Sequence, residues 1–404
     1  MKVLVCHNYY KTTSGEDIVV QTDMELLRAA GFETLEYRRD NAVIESYGVP
    51  QYLRFAVRTL YSKQTSTDIE NLVRAERPDV ALVQNVFPLI SPSVYYVLAR
   101  SRVPIIQLVY NYRLVCAGAT LYCRGRICER CLGGNYFHAV RYRCFRDSAG
   151  LSALYATTLA AHRYIGGFHR TIQAYVTPDR FLRNKLVSAG YPEDRMFTLN
   201  NPFDVGRYRA SFRHAGYFLF AGRLVKEKGI FTALRAMELL PDCRLLVVGA
   251  GEAEAAARQY ASERSLGNVT FLGLRYGPDL MSVLDGARAV LVPSEWFDNC
   301  PVILQQAFAC GKPVIASDID GIPEVVSHGV NGLLFPPGDA AALARGMAEL
   351  AADEERRLRL ACNARRMAEA EFTPQRRIDG LRAVIAFATR IACAAQTSRS
   401  DKRQ

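Results

Sequence analysis

Residues 289–317 read AVLVPSEWFDNCPVILQQAFACGKPVIAS. An apolar run (AVLVPS) leads into a loop, and a helix is expected to begin with Pro301 as its first residue. Gly311 stands where that helix should end, and a second apolar run starts at Pro313. Proline just inside a helix start and glycine just past its end are the residues that backbone geometry favours there. The stretch therefore predicts strand, loop, helix and strand, the repeating unit of a parallel α/β sheet.

The same alternation runs outward in both directions. YFLFAGRL, CRLLVVGAG and VTFLGLR precede this unit and GLLFPPGD follows it, with helical stretches between. Nearer the start, MKVLVCHN reads as a strand and DIVVQTDMELLRAAG as an amphipathic helix ended by Gly31. FETLEYRR, PDVALVQN and VPIIQLVYN follow as further strands. Strands separated by helices argue for open, doubly wound sheets. LNNPFDVGRY, at 199–208, has turn chemistry and no helical period, so it reads as a linker between two such domains. The expected boundaries are 1–200 and 201–374, with a helix at about 375–394 packing back onto the first domain and a flexible tail at 395–404. Two facing Rossmann-like domains would form a cleft, the usual place for a small-molecule site.

Composition narrows the function classes. A chain of 404 residues with half its residues apolar is soluble and globular in class. No run of about 18 apolar residues occurs, so no membrane-spanning helix is expected. MKVLVCHNYY lacks the apolar core and cleavage site of a secretory signal, which places the chain in the cytoplasm with its eleven cysteines mostly reduced. The formal charge of +11 points to anionic partners: sugar diphosphates, an anionic membrane face or nucleic acid. VVGAGEAEA offers Gly249 and Gly251, but Glu254 occupies the third glycine position of a dinucleotide fingerprint, so no NAD site is expected.

Two motifs carry candidate chemistry. In FAGRLVKEKGI, at 220–230, Arg223 and Lys228 follow a strand end and can converge on a diphosphate, one as a fork and one as a compact charge. In SEWFDNCPVILQQAF, Asp298 hangs in the loop before the helix and Gln306 lies eight residues later. Unpaired N–H groups at such a helix start receive phosphate or sugar hydroxyls.

GRLVKEKG, the segment from Ser294 to Ser317, and DGIPEVVSHGVNGLLFPPGD resemble the second domain of glycosyltransferase family 4, a retaining family with the GT-B fold. VCHNYYKTTSGEDIVVQTDMELLRAAGFE, PDVALVQNVFPLISPSVYYV and YNYRLVC resemble its first domain. The likeness runs from residue 1 to about 372 and is most specific in 218–340. It implies a metal-independent, hexosyltransferase-like enzyme that moves a sugar from a nucleotide-sugar donor to a glycan or lipid-linked acceptor in envelope polysaccharide synthesis. By the resemblance, Arg223 and Lys228 bind and stabilise the departing diphosphate, and Asp298 contacts donor-sugar hydroxyls. Gln306 takes the place of the acid that holds the ribose, with Asn299, Cys300 and Glu324 as further substrate contacts. Gly15 falls in the loop that lets the donor approach the first domain.

The departures are specific. Asp298 is one methylene shorter than the family's glutamate. Gln306 keeps two hydrogen-bonding atoms and loses the charge, which alters nucleotide affinity more than chemistry. Asp320 stands where a second glycine is usual. Tyr110 replaces a histidine that faces the reaction centre in similar sequences, and Leu82 and Gln84 also stand where histidine is common. Tyr110 and Gln306 support the alternative of a non-catalytic sugar-nucleotide- or glycan-binding relative, and intact Arg223, Lys228 and Asp298 count against it.

The cysteine-bearing segment 112–147 marks a subgroup of the family. Cys128 and Cys131 have the spacing of a zinc knuckle, flanked by Cys116 and Cys144, with Cys123 unmatched. A structural zinc on Cys116, Cys128, Cys131 and Cys144 and a set of free thiols remain the two readings, and no cofactor is expected for catalysis. HAVRYRCFRDS and AAHRYIGGFHR interleave Arg, His and aromatic residues, which suits an acceptor-facing or anionic membrane surface on the inner face of the cell membrane. Nucleic acid is not expected as a partner.

Overall fold

The computed structural model describes residues 1–11, 14–46 and 49–400. The chain divides into two compact units. The first comprises Met1–Arg124, Cys128–Pro202 and the helix that begins at Pro374; the second comprises Gly125–Ile127 and Phe203–Thr373.

In chain order the first unit has strands β1 (Lys2–Tyr9), β2 (Glu33–Asp40), β3 (Val80–Val83) and β4 (Ile105–Leu108). The short β5 (Tyr122–Cys123) follows, then β7 (Ala174–Thr177) and β8 (Met196–Thr198), while the equally short β6 (Arg126–Ile127) falls in the second unit. Six of these form one sheet in the order β2-β1-β3-β4-β7-β8, parallel throughout. Helices cover both faces, which is why Val3, Leu4, Val5 and Cys6 are buried in succession rather than alternately. The strand order reverses between β1 and β3, so the segments leaving those two strands diverge and open a crevice at their carboxyl ends.

The helix Pro374–Ser400 belongs to this unit. Ile378, Leu381, Ile385 and Ala388 fall at helical spacing and enter the core formed by Val3, Val5, Leu82 and Ile106. The tail expected from residue 395 is helical as far as Ser400, while 401–404 lie outside the described residues. Arg377 anchors this helix. Its guanidinium forms a two-pronged ion pair with Asp23 at 2.8 and 2.7 Å and donates to the Tyr110 hydroxyl at 2.7 Å.

The second unit has β9 (Tyr217–Ala221), β10 (Arg244–Val248), β11 (Val269–Gly273), β12 (Ala287–Val292), β13 (Val314–Ser317) and β14 (Gly332–Phe335). They form a parallel sheet in the order β11-β10-β9-β12-β13-β14. This is the dinucleotide-fold order, with its reversal between β9 and β12. Phe218, Phe220, Leu291 and Ile315 of the sheet pack with Ile230, Leu234 and Met347 of the helices.

The expected helix after β12 spans Val302–Ala309, one residue later than the proline rule suggested. Pro301, at ψ 130°, is still extended and serves as the cap. Gly249 lies at φ 142°, and a Cβ there would sit 1.9 Å from the Gly222 carbonyl oxygen. The glycine pair after β10 thus serves a close approach to the loop after β9, with no nucleotide fingerprint required.

Candidate functional site

The reversal between β9 and β12 puts two loops side by side at the carboxyl edge of the second sheet. The first runs from Gly222 through a single tight helical turn, Lys226–Lys228, into the helix Ile230–Glu238. The second is Pro293–Pro301. Gly229 joins them: it adopts φ 74°, and a Cβ there would lie 1.7 Å from the Pro293 carbonyl oxygen. Only glycine permits both the left-handed backbone and that contact. The Glu295 amide donates to the Glu227 carbonyl at 2.8 Å, closing the same junction.

This junction brings Lys228 onto Asp298. The ammonium reaches both carboxylate oxygens, at 2.7 and 2.6 Å, and the Ser294 hydroxyl donates to Asp298 Oδ2 at 2.7 Å. Lys228 also lies 5.8 Å from the centre of the Trp296 ring. Arg223 stands on the same loop, exposed, with no carboxylate paired to it among the described residues. The result is a site with one free guanidinium and one ammonium shared with a carboxylate. A lysine ammonium has three donors, so one stays available beside the pair.

The remaining expected contacts are distributed around this edge. Cys300 is buried, with φ 40°, immediately before the Pro301 cap, and Asn299 is half-buried. Gln306, half-buried on the helix, is hydrogen-bonded to the Tyr208 hydroxyl. Glu324 is exposed on the short helix Ile322–Val325, after β13. Asp320 has φ 60°, the left-handed backbone that explains why glycine is usual there and that aspartate tolerates best among charged residues.

The crevice of the first unit holds a second polar cluster. Ser14 caps the helix Gly15–Ala29, with Asp17 completing a capping box, so exposed Gly15 opens the helix directly after β1. Glu16 then turns inward, and Asn111 Nδ2 donates to its Oε1 at 2.8 Å. Burial raises the Glu16 carboxyl above the ordinary carboxylate range. Arg113 is held among the rings of Phe87, Phe145 and Tyr155, at 5.5, 5.4 and 4.9 Å. Glu16 Oε2, Gln84 Oε1 and Arg113 Nε are buried without hydrogen-bond partners. They line, with Asn85 and Tyr110, a cavity of about 20 Å³, the room one water or hydroxyl needs. Leu82 is a core residue. Tyr110, expected at a reaction centre, spends its hydroxyl on Arg377, and burial pushes its pKa up.

Sequence reasoning missed Glu16, Asn111, Arg113 and Ser294. Two acids in a first helical turn look like ordinary dipole partners, and nothing local reveals that Glu16 points into the sheet edge.

Among the described residues, no three His, Cys, Asp or Glu side chains are placed to hold a metal ion. The closest contact in the segment is Cys144 Sγ to Cys123 Sγ, at 3.6 Å, and Cys123 was the member left out of the expected set. Turns with left-handed backbone at Arg124, Gly125 and Arg143 set these positions, which spacing along the chain does not encode.

Residues 210–367 match the family model for glycosyl transferases group 1. Over 207 residues the chain is 29% identical to the amylovoran biosynthesis glycosyltransferase AmsK of Erwinia amylovora, covering 48% of this chain and 51% of that one. It is 33% identical over 167 residues to the O-antigen chain mannosyltransferase C of Escherichia coli, covering 40% and 44%. The chain thus spans about half the length of these curated relatives. Among solved structures, Anabaena HepE in complex with UDP superposes with a TM-score of 0.63 at 17% identity, covering 98% of this chain and 100% of that one. Sucrose-phosphate synthase from Thermosynechococcus elongatus gives 0.68 at 18%, covering 99% of each. The chain has the GT-B fold, and its second unit carries the match to the group 1 glycosyl transferases.

Proposed function

We propose that the protein is a retaining glycosyltransferase that moves a sugar from a nucleotide-sugar donor to a glycan or lipid-linked acceptor in cell-surface polysaccharide synthesis. The observation that carries this reading is the meeting of Lys228 and Asp298 at the switch point of the second sheet, with exposed Arg223 on the same loop as Lys228. An anionic diphosphate needs fixed positive charge where its leaving oxygen develops charge, and Arg223 with Lys228 supplies it without a catalytic metal. Asp298, short and already oriented by Ser294, accepts from donor-sugar hydroxyls. In the step proposed, the acceptor oxygen bonds to the anomeric carbon as the bond to the phosphate oxygen breaks. The departing phosphate takes the acceptor's proton, so no protein nucleophile is required.

The polar cavity at Glu16, Gln84 and Arg113 supports an acceptor-hydroxyl site on the first unit, since its unpartnered buried atoms need such a group. The charge of +11 and the basic aromatic segment 138–170 support work at the anionic inner face of the cell membrane.

A non-catalytic binding role is the second reading. The engagement of Lys228 by Asp298 and of Gln306 by Tyr208 favours it, because both side chains must be released or shared to meet a donor.

Ligand-detected NMR with UDP-, GDP- and ADP-sugars, repeated on Arg223→Ala and followed for nucleotide release, separates the readings. Selective binding that Arg223→Ala abolishes, with release of nucleotide, supports transfer. Binding without release in the presence of candidate acceptors supports the second reading, and no binding across the panel refutes both.

A further inference from the structure

A second cavity, of about 620 Å³, opens on the first unit and shares no lining residue with the polar cavity there. Leu60, Tyr61, Tyr96, Ala99, Arg100 and Ile165 line it. They come from the end of the helix Val49–Leu60, from Ser93–Arg100 and from Ala149–Ile165. Its size falls in the range of about 300–1,000 Å³ typical of small-ligand sites.

The polar atoms in its wall are turned inward. His162 Nε2 lies 2.9 Å from the Leu60 carbonyl, which only accepts, so that nitrogen carries the proton. Its Nδ1 then accepts from the Tyr96 hydroxyl at 2.8 Å. Burial lowers the His162 pKa, in keeping with a neutral ring. The Thr171 hydroxyl donates to the Gly167 carbonyl. What remains facing the space is apolar.

The mouth differs. Ile165 is 70% exposed and Tyr61 36% exposed, while Val57, 69% exposed, stands one helical turn before Tyr61. Single exposed apolar residues are ordinary, but a collar of them around an apolar cavity marks an interaction site. Arg100 is exposed on the lining, with no carboxylate paired to it among the described residues. Exposed Arg170 folds across Gly166, beside Thr171.

We propose that this cavity takes an acyl chain of an anionic phospholipid, with Tyr61 and Ile165 in the membrane interface and Arg100 and Arg170 on the lipid phosphate. An apolar ligand without charge would leave the arginines unused, and a charged one without a chain would leave the cavity empty. An anionic amphiphile meets both. The proposal rests on the membrane-surface part of the function proposed above, and it is independent of the donor chemistry.

The test uses the full chain, vesicles of phosphatidylcholine with and without phosphatidylglycerol, and soluble dihexanoyl phosphatidylglycerol followed by native mass spectrometry. Wild type should sediment with phosphatidylglycerol vesicles and carry one short-chain lipid. Ala99→Trp, which intrudes on the cavity from its lining, should weaken vesicle binding by about tenfold or more, since each methylene left in water weakens binding several-fold. It should also lose the short-chain adduct, with circular dichroism unchanged. Ile165→Glu, at an exposed site where folding is not at stake, should weaken vesicle binding comparably.

Three results overturn the proposal. The first is full vesicle binding by Ala99→Trp and Ile165→Glu. The second is binding that salt and Arg100→Ala abolish but Ala99→Trp leaves intact, which is surface electrostatics alone. The third is lipid-free self-association of wild type that Ile165→Glu breaks, which makes the collar an interface between copies. Nucleotide release from the donor, measured on the same variants, reports the transfer reading separately.

Discussion

Asp298→Asn should tighten the binding of free nucleoside diphosphate rather than weaken it. Asp298 accepts two short hydrogen bonds from Lys228 and one from Ser294. A diphosphate drawing on Lys228 must share the ammonium with this carboxylate and tolerate its negative charge nearby. Both effects oppose binding, and both vanish when the carboxylate becomes an amide. The side chains of Lys228 and Asp298 are 22% and 10% exposed. Fully exposed pairs are worth about 0–1 kcal/mol and breaking a buried one costs about 3–5, so an intermediate value of about 1.5–2 kcal/mol is expected here. That corresponds to a gain in affinity of about 10- to 30-fold. The asparagine still accepts from Ser294, so the loop should keep its shape. Calorimetric titration of UDP, GDP and ADP into wild type and variant measures the effect with no sugar present to confuse it. Sugar turnover from the intact donor should fall at the same time, because the hydroxyl acceptor is weakened. Unchanged or weaker nucleoside diphosphate binding in Asp298→Asn would refute the argument that Asp298 restrains Lys228.

Arg377→Met should cost the first unit about 3–5 kcal/mol, because it leaves Asp23 buried and unpaired, while the double change with Asp23→Leu should recover most of that loss; a thermal-unfolding double-mutant cycle reads the coupling. Gly229→Ala should cost about 2 kcal/mol or more, from left-handed backbone and collision with the Pro293 carbonyl, and should weaken donor binding by displacing the loop that carries Arg223 and Lys228; chemical unfolding and ligand-detected NMR on the same sample check both. Arg357, with His214, holds the Glu354 carboxyl down to about 2 from 4.5. A carboxyl lowered on folding stabilises the folded state above its unfolded value and loses that contribution as pH falls through the folded one. The stability gap between wild type and Glu354→Gln should therefore be full at neutral pH, narrow below about 4.5 and close near 2, as acid titration followed by circular dichroism will show.

The legibility of the sequence divides by range. Strands such as β1 and β12 were readable because apolar runs bounded by turn residues leave few alternatives. The loop carrying Arg223 and Lys228 was readable for the same reason: a strand end and a glycine bracket it. Sheet order was not, since nothing within β9 says that β12 rather than β11 lies beside it. Tyr110 shows the limit clearly. Its hydroxyl partner, Arg377, lies 267 residues away, and Arg377 pairs with Asp23 across 354. No local period carries such a link. The cysteines mark a different limit: their spacing is suggestive, but the left-handed turns between them decide where each sulfur points.

The two switch points follow the same topological rule yet differ in charge. At the second unit's crevice the loops bring Arg223 and Lys228, groups that favour a polyanion. At the first unit's crevice they bring Glu16, Asn111 and Gln84, with the Arg113 guanidinium covered by three aromatic rings. A diphosphate placed there would meet Glu16 and lose its water without gaining an open cation. A neutral hydroxyl loses little on entering, and it can donate to Glu16 Oε2 or Gln84 Oε1. On the proposed function, this difference assigns the nucleotide to the second unit and the acceptor hydroxyl to the first. It also gives Glu16 a reason to stay buried and incompletely bonded. A carboxyl bonded at one oxygen only, as Glu16 is by Asn111, is costly to hold in such a place unless a ligand completes its hydrogen bonding.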